Sequence, residues 1–127
     1  MKKVKTVIRE VQVSPYVAEL WIIITNDPHY ECARMNQKYK NLNLKWYDGA
    51  AACTESEFYN GNYLTVVFDA KCGYDINTIC HEVVHIKNLV YKHAGVNLSP
   101  KNDEHEAYLS GWLAEQIDNA WKDYRKK

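Results

Sequence analysis

The stretch Cys80-His81-Glu82-Val83-Val84-His85 decides the reading of this chain. It is an H-E-x-x-H sequence inside a segment whose apolar residues Ile79, Val83, Ile86 and Val90 recur at helical spacing. On a helix, positions four apart lie one turn apart on the same face. His81 and His85 can therefore each turn an imidazole nitrogen toward one point, the two-histidine half of a zinc site. Glu82 follows the first of them by one residue, where a carboxylate can reach a water on the ion without binding the ion itself. So placed, it takes the proton from that water as the water attacks a carbonyl carbon, and zinc brings this chemistry near neutral pH. The competing reading is a core helix carrying two surface or hydrogen-bonded histidines. The rest of the chain must supply what the motif needs.

The motif helix is bracketed by its own signals. Asp75 is the expected N-cap, and Gly95 the expected C′ residue in the left-handed region. Ahead of it, Tyr59-Asn60-Gly61-Asn62 contains Asn-Gly, the preferred two-residue turn, between an arm near 51–58 and an arm over 63–70. The second arm is the stronger strand. Further back, 28–42 reads as a helix with Asp27 as N-cap and Pro28 at its first position, its stripe Cys32, Met35, Tyr39 and Leu42 being a packing face. Residues 3–13 read as a strand that Ser14-Pro15 breaks. Residues 18–25 read as a second strand, apolar on both faces from Leu20 and so central in a sheet. A last long helix is predicted from about Glu104 to Tyr124. The order of strands, helix, hairpin and two helices predicts one α+β domain over residues 1–127, with a small, mostly antiparallel sheet packed on the motif helix and the C-terminal helix.

Composition narrows the function classes. The 127 residues suffice for one core. Sixteen basic and sixteen acidic residues cancel, so no global field draws in nucleic acid or an acidic membrane surface. No apolar run is long enough to span a bilayer, and the residues after Lys2-Lys3 alternate polar and apolar rather than forming a signal-peptide core. A cytoplasmic protein is expected, with neither nucleic acid nor membrane as partner. Cys32, Cys53, Cys72 and Cys80 are then expected to be reduced, and no C-x-x-C pair signals a redox dithiol or a zinc ribbon.

A catalytic zinc site takes three protein ligands and leaves a position for water. Candidates follow Gly95: Asp103, Glu104, His105 and Glu106. Asp103 and Glu106 form a capping-box pattern, which gives both another task. Glu104 heads a helical face continued by Ala107, Gly111 and Ala114, and small residues let two helix backbones approach closely. Glu104 is the first choice for the third ligand, ahead of Glu106 and His105. Tyr108, four residues further on the same side, is the candidate donor to the oxyanion of an acyl-transfer intermediate, with His93 and His105 behind it.

The motif His81-Glu82-x-x-His85, followed by a helix bearing Glu104, resembles the gluzincin arrangement of zincin-like metallopeptidases. The run Asp103-Glu104-His105-Glu106-Ala107-Tyr108-Leu109 is similar to the D-E-x-x-A-Y-L stretch of small stand-alone zincin-like proteins from phage and prophage genomes. The resemblance implies a minimal zincin-like fold, Zn2+ as cofactor, two histidine ligands and one glutamate ligand from the next helix, a general-base glutamate, the strand over 63–68 ahead of the motif helix as the sheet edge, and a peptide or protein substrate that could add there as an extra strand. Asn88 and Tyr91 stand where the metzincin pattern has Gly and His, and the N-E-x-x-S-D form of thermolysin-like enzymes is absent. The expected function is zinc-dependent hydrolysis of peptides. The alternative is a non-catalytic zinc domain for structure or protein interaction, closed by four protein groups; Cys80 and Cys72 are the cysteines near enough in sequence to join one.

Overall fold

The computed structural model describes residues 3–39, 42–57, 63–101 and 103–127. Among the described residues, four strands and three helices follow one another as β1 (Thr6–Gln12), β2 (Glu19–Thr25), α1 (Pro28–Lys38), β3 (Ala52–Glu57), β4 (Tyr63–Asp69), α2 (Ile76–Ala94) and α3 (Glu104–Lys126), with a 3₁₀ turn, Ala70–Cys72, between β4 and α2. The strands form one mixed sheet in the order β1-β2-β4-β3. β1 and β2 are antiparallel, β2 and β4 parallel, and β3 and β4 antiparallel. The α+β class and the mostly antiparallel sheet are as expected. The parallel pair arises because the chain leaves β2 through α1 and returns by way of β3.

β2 and β4 are interior strands, and their side chains are buried on both faces. Leu20, Ile22 and Ile24 of β2 and Leu64, Val66 and Phe68 of β4 point to one face, where Ile79, Val83, Ile86 and Val90 of α2 and Leu109, Leu113, Ile117 and Trp121 of α3 close over them. Trp21, Ile23 and Val67 point to the other face and meet Cys32 and Met35 of α1, with Tyr39 and Leu42 at its margin. Each such aliphatic side chain taken from water contributes about 1.5–3 kcal/mol. The sheet is thus a middle layer, with α1 on one side and α2 and α3 on the other.

The helix boundaries follow local chemistry. The Asp27 carboxylate accepts from the Tyr30 N–H at the start of α1, with Pro28 next in line. Asp75 accepts from the Asn77 N–H and the Thr78 hydroxyl at the start of α2. α2 ends where Gly95 takes φ 73°, a left-handed conformation that costs glycine little. α3 departs from expectation. Asp103 makes no side-chain cap bond, so the capping box does not form, and Glu106 instead pairs with Lys87 of α2.

One further expectation is corrected. β4 is paired on both sides, so the free edge beside α2 belongs to β3. The expected turn at Asn60-Gly61 lies outside the described residues, but the register around it is visible. A two-residue Asn-Gly loop would set Phe58 opposite Tyr63. The strands instead pair Glu57 with Tyr63, one step away. No helix among the described residues is long and apolar enough to cross a membrane.

Candidate metal centre

α2 turns different residues to its two flanks. At about 100° per residue, Glu82 lies roughly 100° round from His81, His85 roughly 40°, the core stripe between about 140° and 200°, and Lys87 about 240°. The helix packs against β3 on the histidine side and against α3 on the lysine side. The motif therefore looks into the angle between α2 and the free edge of the sheet.

There the two imidazoles converge. His85 Nε2 stands 3.2 Å from His81 Nε2. Two nitrogens bonded to one tetrahedral zinc, each at 2.0–2.1 Å, stand roughly 3.3 Å apart. In the neutral protein the same approach serves one imidazole N–H donating to the other ring's lone pair. Glu82 completes the group. His81, Glu82 and His85 each offer a ligand atom within 4.8 Å of the other two. The histidines are exposed, whereas Glu82 is 5% exposed. Its Oε1 accepts a 2.7 Å hydrogen bond from the Thr54 hydroxyl of β3, and its Oε2 lies 3.9 Å from His81 Nε2. Two borderline nitrogens and a carboxylate oxygen are a donor set suited to zinc.

Two depressions flank the group. A cavity of about 420 Å³ is lined by Cys53, Thr54, His85, Asn88 and Leu89 together with His81 and Glu82. A second, of about 270 Å³, is lined by Ala51, Asn77 and Thr78, again with His81 and Glu82. Both include Ala52 of β3, so the trough runs along the free strand edge.

The structure brings together His81, Glu82 and His85 and leaves the α3 residues elsewhere. Glu104 is exposed at the first position of α3 and is not part of the donor group. Of the face chosen for its small residues, Glu104, Ala107 and Gly111 are turned to solvent and Ala114 alone packs at the margin of the core, while α3 packs inward through Leu109, Leu113 and Ile117. Glu106 is engaged by Lys87 on the far flank of α2. Tyr108, expected as the oxyanion donor, is 74% exposed and lines a different depression with His105, Trp112, Gln12 and Tyr16. Neither Cys72 nor Cys80 joins the donor group, although both are exposed.

Thr54 was not singled out in the sequence. It pairs with Val66, which faces α2, whereas the two-residue Asn-Gly turn read from the sequence would pair it with Val67 on the other face.

Comparison with known proteins gives no match: no family model, no curated protein and no solved structure matches the chain.

Proposed function

We propose that the chain is a zinc-dependent hydrolase acting on peptides, with His81 and His85 as metal ligands and Glu82 as general base. The observation that carries this reading is the 3.2 Å convergence of the two Nε2 atoms beside a buried carboxylate. Zinc bound there would supply an acidified water and a polarised carbonyl. Glu82 takes the proton of the attacking water through Oε2, the oxygen nearer His81, and returns it to the leaving amine.

The free edge of β3 supports a peptide substrate. An extended segment can pair with an open strand edge by main-chain hydrogen bonds, and here that edge borders the trough holding the histidines. Asn88, which lines the trough, offers an amide donor for the developing oxyanion, the role expected of Tyr108.

A second reading has one observation in its favour. Glu82 lies within ligand distance of the same group, so it could bind the ion and leave a non-catalytic zinc domain. Glu82→Gln separates the two. In a hydrolase this variant keeps its zinc and loses about 10²–10⁴-fold in turnover of a quenched peptide mixture. Loss of zinc in Glu82→Gln favours the non-catalytic domain, and a variant that cleaves as fast as the wild type ends the general-base role.

A further inference from the structure

We infer that Thr54 is a positioning residue that holds Glu82 off the metal, so that this carboxylate works as a base and not as a ligand. The inference rests on the hydrolase reading above.

Glu82 follows His81 directly, and its carboxylate is within reach of any ion the two imidazoles share. A buried carboxylate beside a divalent cation will bind it unless something else claims its lone pairs. Thr54 makes that claim: its hydroxyl donates to Oε1 at 2.7 Å. The remaining oxygen, Oε2, stands 3.9 Å from His81 Nε2. With Oε1 held by Thr54, the carboxylate turns Oε2 toward the histidines.

The anchor is well fixed. Thr54 lies mid-strand in β3, opposite Val66 of the interior strand β4, so its backbone is held by the sheet. Threonine is branched at Cβ and has restricted χ1 freedom. The acceptor is a carboxylate only 5% exposed, and burial strengthens a hydrogen bond. A strand edge that can bind substrate thus also sets the orientation of the base.

The test compares wild type, Thr54→Val, Thr54→Ser, Glu82→Gln and the double variant Thr54→Val/Glu82→Gln. Zinc affinity is measured by chelator competition, with kcat, KM and melting temperature alongside. Thr54→Val preserves shape and strand preference while removing the donor; Thr54→Ala repeats the test if the valine does not fold. The expected result for Thr54→Val is a kcat lower by about 10- to 100-fold with KM little changed. Its zinc affinity rises as the freed carboxylate joins the shell. That rise disappears in the double variant, and Thr54→Ser returns toward wild type. Wild-type affinity and kcat in Thr54→Val overturn the inference, as does an affinity gain that persists without Glu82. A wild type that binds zinc but cleaves nothing overturns the hydrolase reading instead, and the affinity cycle still judges Thr54.

Discussion

Lys87 of α2 and Glu106 of α3 form an ion pair on the flank of α2 turned away from the two imidazoles. The Lys87 side chain is 8% exposed, and that of Glu106 is 30% exposed. A buried ammonium tolerates its position only while a carboxylate compensates it. Glu106→Ala strands the charge and is expected to cost about 3 kcal/mol. Lys87→Met removes the charge itself, fills similar space and is expected to cost under about 1 kcal/mol. Urea denaturation at constant m reads both values. Equal costs would show that the pair is not the joint between the helices.

The same geometry bears on the ligand set. His81→Ala and His85→Ala should abolish zinc binding, whereas Glu104→Ala should leave affinity within about threefold, since a solvated acid outside the donor group contributes only long-range charge. Zinc at roughly a hundredfold excess over its Kd should stabilise the wild type by about 2.7 kcal/mol, read as a higher melting temperature, and should leave His85→Ala unmoved. A tenfold or larger loss of affinity in Glu104→Ala would mean that the first turn of α3 swings across to complete the shell.

The histidine pair was legible because it is local. The spacing of His81 and His85 on one helix fixes their relation whatever else the chain does, and the Asp75 and Gly95 signals fixed the helix. The expected third ligand was not local. Small residues at Ala107 and Gly111 suggested close helix packing, yet a helix buries its larger apolar stripe, and in α3 that is Leu109, Leu113 and Ile117. Rotating α3 to bury the stripe carries Glu104 and Tyr108 outward. Thr54 was hidden by a register. A two-residue Asn60-Gly61 loop would pair Thr54 with Val67, on the α1 side of the sheet. The observed pairing with Val66 turns it to Glu82, because a one-residue slip reverses every side chain of a strand.

Gly111 tests the orientation of α3 directly. It sits mid-helix with a solvent-facing position, and a Cβ there would meet nothing within 4 Å. Gly111→Ala should therefore stabilise the fold by about 0.5–1 kcal/mol through helix propensity alone. Destabilisation would place this face against another element.

Thr65 offers a second stabilising change. It is buried in β4, and its hydroxyl has no hydrogen-bond partner among the described residues. Thr65→Val keeps the branched shape that suits a strand and removes an unsatisfied polar group. The expected gain is about 1 kcal/mol by denaturant titration. A loss of stability would reveal a partner for the hydroxyl.

The cysteines separate the two zinc readings. Burial, reinforced by Glu55, pushes the thiols of Cys32 and Cys53 from 9.0 to about 11. The thiolate is the reactive form, so a raised pKa means less of it: at pH 8 roughly one part in a thousand for these two. An aromatic disulfide reagent at pH 8 should therefore label exposed Cys72 and Cys80 quickly and Cys32 and Cys53 slowly. The slow phase should quicken about tenfold per pH unit until it levels near pH 11. Added zinc should leave the fast phase unchanged, because Cys72 and Cys80 lie outside the donor group. A metal held as a closed Cys/His site would draw on those thiols and protect them. Zinc-dependent slowing at Cys80 would therefore replace the open catalytic centre by a structural one, and with it the role of Glu82 as a base.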